Sequence, residues 1–347
     1  MSVAVPRDEH EYIYAVARVR VLETHLLDRA TLQRMVDAES AQAAFNILME
    51  TEYAESASEA GDVYDFEKGL TAHLKWVYDY LASFMPDSFV LDLLRLRFDF
   101  HNLKVVLKAK LLNFEPNPGA LYDWGTTPVD VMSSVVSAAI EGATEIRSKT
   151  LPEGLLECIK EVLREPSVRE DPQLIDLIAD KCYHQTRVAL ARASGREVLQ
   201  DWVKAAVDIA NMKISLRGSK LGMDKNKLQL ALIPGGKVSI ESLKAVAGEG
   251  IEEWLEFWAR SPYSEALSKF VKTEKGSIAF TELEKWADSY LAGLIQRGRH
   301  LAFGPEPIVA YAVAKETEIK NLRIILTGKL NGLPGDMIRE RLRDVYA

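Results

Sequence analysis

The sequence predicts an all-α fold made of three divergent copies of one helical unit. Three observations carry that expectation. Apolar residues recur at spacings of three and four between proline- and glycine-rich breaks. One nine-residue pattern occurs three times, at a period near 110 residues. An apolar–acid pair precedes each copy of that pattern at a nearly constant distance.

The elements follow in chain order. Residues 59–84 read as one long helix that stops at Pro86. Asp87 is placed to cap the next helix, which is expected to reach about Asn113, with Leu96, Phe100, Leu103, Leu107 and Leu111 forming a single stripe. The run Phe114-Glu-Pro-Asn-Pro-Gly119 ends it. Further breaks fall at Ser194-Gly195, Pro234-Gly235-Gly236, 248–250, Gly304-Pro305 and Gly332-Leu-Pro334. Between them the chain is charged and periodic. Almost no stretch alternates apolar and polar residues with β-branched side chains, so no substantial sheet is expected.

The repeated pattern is acid, two residues, Asn, Leu or Met, a base, Val or Ile, one residue, Leu. It reads Asp99-Phe-His-Asn102-Leu103-Lys104-Val-Val-Leu107 in the first copy and Asp208-Ile-Ala-Asn211-Met212-Lys213-Ile-Ser-Leu216 in the second. In the third it reads Glu318-Ile-Lys-Asn321-Leu322-Arg323-Ile-Ile-Leu326. The asparagines are 109 and 110 residues apart. The pairs Phe66-Glu67, Ile175-Asp176 and Leu283-Glu284 put an acid 35, 35 and 37 residues before each asparagine. The copies divide the chain into repeats at 1–125, 126–236 and 237–347.

On a helix, acid and asparagine three apart are neighbours. Asparagine is a poor mid-helix residue whose amide needs partners. The expectation is that each one bonds the backbone or an acid of a neighbouring helix and sets its register. The alternative is a solvated asparagine beside its own acid. Three similar units in one chain can pack about a pseudo-three-fold axis, giving a ring or funnel suited to gripping a round partner.

Composition agrees with a well-cored chain. Of 347 residues, 48% are apolar and 27% charged, and the formal net charge of −8 does not suit a nucleic-acid binder unless its bases cluster. The first ten residues lack the basic start and apolar core of a signal peptide, and no apolar run reaches membrane-spanning length. Cys158 and Cys182 show no metal spacing and are expected as reduced thiols within helices, in a reducing compartment.

Catalytic signatures are missing. The histidines, at 10, 25, 73, 101, 184 and 300, form no H-x-x-x-H or H-E-x-x-H pair. Cys182-Tyr-His184 is read as structural, since residues two apart on a helix point apart. His101 lies inside the repeat pattern, but its counterparts are Ala210 and Lys320. Gly236-Lys237 and Gly328-Lys329 lack the rest of a phosphate loop. Asp176 and Asp180 are read as a solvated face. Trp76, Tyr80, Trp254, Trp258, Trp286 and Tyr290, at spacings of four, are read as core or helix–helix contacts. Bases gathered on the pattern helices are read as favourable cations near helix C-termini, or as docking surfaces. No catalytic, cofactor-binding or metal residue is assigned. The pattern reports each unit's interior and so designates no partner-binding residue.

Motifs along almost the whole chain resemble the C subunit of the V/A-type ATP synthases, the counterpart of the d subunit of eukaryotic V-type ATPases. They are Tyr12-Ile-Tyr14-Ala-Val-Ala-Arg18-Val-Arg20-Val-Leu22-Glu23 with Leu26-Leu27, then Leu48-Met-Glu-Thr-Glu-Tyr53, the three repeat patterns, Ser261-Pro-Tyr263, and Ile338-Arg-Glu-Arg-Leu342 to Tyr346. Each is short; their order over some 330 residues is what is specific. The resemblance implies an all-α funnel on the cytoplasmic face of the membrane rotor ring. Such a funnel is peripheral to the membrane, receives the central shaft made of the D and F subunits, passes torque to the ring proteolipids, and binds no nucleotide or cofactor. Thr327, where the other copies have Lys108 and Arg217, departs from a base in every unit. Two other readings stay open. One is a helical-repeat scaffold for a different complex. The other is an α-helical hydrolase or lyase with an acid-lined cavity, which would need a carboxylate cluster that the sequence lacks.

Overall fold

The computed structural model describes residues 8–142, 151–272 and 277–345. The N-terminal stretch to Arg7, included in the signal-peptide reading, and Tyr346 of the closing motif lie outside them. The fold is all-α. In chain order the helices are α1 (Ile13–Glu23), α2 (Arg29–Asp37), α3 (Ala41–Leu48), α4 (Ala54–Ala60), α5 (Phe66–Ala82) and α6 (Phe89–Leu112). Next come α7 (Val129–Ile140), α8 (Glu153–Arg164), α9 (Gln173–Ala193), α10 (Glu197–Lys220) and α11 (Lys225–Ala231). The last are α12 (Ile240–Val246), α13 (Ile251–Ala259), α14 (Ser264–Phe270), α15 (Phe280–Gln296), α16 (Glu306–Leu330) and α17 (Gly335–Arg341). A short antiparallel ladder pairs Val271 with Ile278 and Lys272 with Ser277.

Boundaries follow local chemistry. Asp87 Oδ1 accepts from Phe89 N at 2.9 Å and so opens α6, and α6 closes at Asn113, which turns into the left-handed region at φ 55. Asp28, Ser40, Asp224 and Ser239 cap α2, α3, α11 and α12 through their side-chain oxygens. The helix expected over 59–84 is broken. Gly61, at φ 77, ends α4, and the Asp62 carboxylate accepts from Tyr64 N before α5 begins. Periodicity on both sides of the break hid a glycine C-cap followed by an aspartate N-cap.

The chain forms two compact units. One is residues 91–267; the other joins the N-terminal stretch up to 90 to the C-terminal stretch from 268. In the first, α9 is central and packs against α8, α10 and α11, while α13 lies on α10. Leu155, Cys158, Ile159 and Val162 form the apolar face of α8; Ile175, Ile178, Ala179 and Cys182 do so for α9. In the second unit α16 is central and contacts α1, α2, α3, α5, α15 and α17. Its core gathers Leu32, Met35, Phe45, Leu48, Leu70, Ile319, Leu322, Leu326 and Ile338.

Of the aromatic residues at spacings of four, Trp254 and Trp258 are fully buried, whereas Trp76 is half exposed and stacks on Tyr80 with ring centroids 5.2 Å apart. Cys158 and Cys182 are both free and buried. Among the described residues, no helix is long and apolar enough to cross a membrane, and no group of three or more metal-ligating side chains occurs.

Candidate functional site

The repeat residues are interior residues. Asn102, Asn211 and Asn321 are fully buried on α6, α10 and α16. Each amide makes a closed pair of hydrogen bonds with the backbone of one residue 20 or 22 positions downstream. Asn102 Nδ2 donates to Tyr122 O at 2.7 Å, and Tyr122 N donates to Asn102 Oδ1 at 2.9 Å. Asn211 repeats this with Ile233, at 2.8 Å in both directions. Asn321 does so with Arg343, at 3.1 and 2.8 Å. An asparagine carries a donor and an acceptor in the spacing of a peptide group, so it substitutes for a missing strand partner. The partner is thus the segment leaving the same helix hairpin, not a neighbouring helix and not the asparagine's own acid.

The acids secure the next step of the chain. Asp99 accepts from Thr126 Oγ1 at 2.6 Å and Thr127 N at 3.0 Å. Asp208 accepts from Lys237 N at 2.8 Å, Val238 N at 3.1 Å and Tyr263 Oη at 2.7 Å. Glu318 accepts from Leu27 N, from Tyr53 Oη at 2.6 Å and from Lys315 Nζ at 2.6 Å. Thr127, Val238 and Leu27 each precede the N-cap of a short helix: α7, α12 and α2. Tyr263 and Tyr53 each stand at the start of another, α14 and α4. The third acid therefore takes from the N-terminal stretch the partners that the second takes from the residues following its own helix.

Two glycines complete the pattern. A Cβ on Gly125 would collide with the Asp99 carboxylate, and one on Gly236 with that of Asp208. Only a residue without a side chain lets the backbone come so close. Neither the glycines nor the two tyrosines belong to the nine-residue sequence pattern. The one signal for them is a glycine 26 or 28 residues after each of the first two acids.

Electrostatics follow from burial. Burial pushes Asp99 up to about 6, although the Thr126 hydroxyl and the Thr127 N–H hold it down in part. Asp208 is raised for the same reason, against the Tyr263 hydroxyl. In the third copy Lys315, fully buried, lies between Glu52 and Glu318 and donates to both. Its counterparts Leu96 and Ala205 are apolar, so this ion network exists in one copy only. Burial raises Glu52 against the pull of Lys315. His73, 3.9 Å from Glu52 and bonded through Nδ1 to Ser56 Oγ at 3.3 Å, is held neutral: burial and then Lys315 depress it to about 3.

Lys104, Lys108, Lys320 and Arg323 are held in ion pairs within the fold. Lys104 pairs with Asp180 at 2.8 Å and Lys108 with Asp176 at 2.6 Å, bracing α6 against α9. The Asp176–Asp180 face is therefore a cross-helix contact. Arg323 forks onto Glu67 of α5 at 2.5 and 2.9 Å. Asp288 of α15 gathers Lys320 and Arg343, both at 2.9 Å; burial raises this carboxyl, but the two cations hold it below its ordinary value overall. Lys213 lies half-buried on α10. The recurring arrangement is a base of one copy on the acid that opens another copy's hairpin: first copy to second, and third to first. These groups are consumed in holding helices together, and the arrangement positions no nucleophile or general base.

The profile of the ATP synthase (C/AC39) subunit family matches residues 15–341. The chain is 26% identical to the C subunit of the V-type sodium ATPase of Enterococcus hirae over 94% of its own length and 97% of that protein. It is also 26% identical to the C subunit of the A-type ATP synthase of Methanocaldococcus jannaschii, over 95% of its own length and 86% of that protein. With the corresponding A-type ATP synthase protein of Thermococcus kodakarensis it shares 25% identity over 96% and 91%. The chain belongs to the ATP synthase (C/AC39) subunit family and is a structural, non-catalytic component of a V/A-type rotary ATPase.

Proposed function

We propose that the chain is the coupling component of the central stalk, seating the shaft of D and F subunits on the membrane rotor ring and passing torque between them. The observation that carries this reading is the match to the C subunits of rotary ATPases over nearly the full chain. On this reading the chain is peripheral to the membrane, on the cytoplasmic face, and meets the bilayer only through the ring proteolipids. Its three repeats form a pseudo-three-fold funnel in which Asp99, Asn102 and Lys104, Asp208, Asn211 and Lys213, and Glu318, Asn321 and Arg323 are structural anchors.

A torque coupler has to resist shear between helices. Close-packed helices supply stiffness, and hydrogen bonds that cross from a long helix to the next chain segment resist sliding better than apolar contacts, which are non-directional. The test is co-purification of the tagged chain from membranes of its source, with partners identified by mass. Recovery of the ring proteolipid with the D and F subunits supports the reading. Recovery of an unrelated soluble partner without ATPase subunits refutes it.

A further inference from the structure

Arg187 is an exception among the chain's interior charges. It lies on α9 and is only 7% exposed, yet it has no ion pair and no hydrogen-bond partner among the described residues. Lys315, also deeply buried, has two carboxylates. Arginine cannot shed its proton to escape burial. On the same two helices, Asp180 is engaged by Lys104 and Asp201 by Lys237 at 3.2 Å, and Glu197 at the start of α10 is exposed.

The surroundings are those of a receptor. The guanidinium carbon is 4.7 Å from the ring centroid of Trp202, which faces it across the α9–α10 hairpin, and 5.3 Å from that of Tyr183. Tyr183 is backed edge-on by Phe100 of α6, with centroids 5.9 Å apart. A guanidinium held against aromatic rings can still donate through its N–H groups, and Nε of Arg187 is buried without a partner among the described residues. Two further buried polar atoms there lack partners, Nε1 of Trp202 and Nδ1 of His184. His184 is held neutral by burial and then by Arg187, so Arg187 is the fixed positive charge beside it.

We propose that Arg187, walled by Tyr183 and Trp202, is a socket for a carboxylate side chain of another subunit of the assembled complex. A planar carboxylate matches the guanidinium fork in two parallel bonds. The aromatic walls cover the apolar stem of an aspartate or glutamate. The proposal rests on membership of a multi-subunit complex and not on which subunits the chain bridges.

The test compares the isolated chain with the complex. Arg187→Met keeps an apolar stem against the two rings but removes the guanidinium and its charge. We expect it to raise the melting temperature of the isolated chain by a few degrees, because an unpaired buried cation is gone. We also expect it to weaken retention in the complex by about tenfold or more. Arg187→Lys, which keeps charge and loses the fork, should weaken retention less. Trp202→Phe, which removes the indole N–H together with part of the ring beside the guanidinium, should lower the melting temperature of the isolated chain modestly and weaken retention about threefold or more. Retention equal to wild type in both Arg187→Met and Trp202→Phe overturns the proposal, as does a lowered melting temperature in Arg187→Met, which would mark a structural stacking residue. Thermal stabilisation of the wild type, but not of Arg187→Met, by inorganic phosphate would assign the socket to a free anion and also overturn it.

Discussion

The phenol of Tyr53 donates to Glu318 Oε1 at 2.6 Å, joining residues 265 positions apart in a buried contact. Its counterpart joins Tyr263 to Asp208 over 55 positions. The same hydrogen bond is made through a distant stretch of chain in one copy and a nearby one in the other. Burial, then Glu318, raises the Tyr53 hydroxyl well above its usual range, so it stays a donor at any physiological pH.

Tyr53→Phe removes one donor from a buried carboxylate and leaves the ring in place. A hydrogen bond to a charged group contributes about 1.5–3 kcal/mol, and urea denaturation should show a loss in that range. Tyr263→Phe should cost a similar amount. A loss in Tyr263→Phe alone would mean that the N-terminal helices are not held through Glu318.

The asparagine clamps should be costly to remove. Asn211→Ala leaves both the N–H and the C=O of Ile233 buried without partners, a penalty of about 2–4 kcal/mol. The clamps of Asn102 and Asn321 reach segments that are less deeply buried. Their alanine variants should lose less, because water can replace the amide. Equal losses at all three positions, by urea midpoint, would contradict this ranking.

Lys315 separates two buried carboxylates. Lys315→Met should destabilise the chain by about 3–5 kcal/mol, because Glu52 and Glu318 then face each other uncompensated. Adding Glu52→Gln to that variant should restore part of the loss. The double-mutant cycle measures this coupling directly, and a purely additive result would show that the network contributes nothing beyond packing.

His184 gives a pH signature. Burial, reinforced by Arg187, depresses its folded pKa to about 3 from an unfolded value of 6.5. Unfolding therefore takes up a proton between those values. The contribution is present above about pH 6.5 and is lost as pH falls toward 3, at roughly 1.4 kcal/mol per pH unit. His184→Phe should remove one proton from the acid-unfolding slope between pH 6 and 4. An unchanged slope would show that His184 is already protonated in the folded chain.

Much was determined by sequence alone. Glycines, prolines and polar caps mark most helix ends because their effects are local, acting within one turn of chain. The triple recurrence of acid, asparagine and base was visible because equivalent positions in copies of one unit face the same demand. The failure at 59–84 has the same local origin: Gly61 and Asp62 end one helix and prepare the next within a few residues, too short an interruption for a rule that counts spacing to register. What only the tertiary structure decided are the partners. A pattern on one helix cannot say that Asn102 will meet the backbone of Tyr122, that Lys108 will meet Asp176, or that Leu27 and Tyr53 will converge on Glu318. Those pairings depend on how chain segments far apart in sequence close on one another, and burial then turns each pairing into an obligation. A solvated asparagine or lysine is satisfied by water, whereas one enclosed by packed helices must find its partner in the fold.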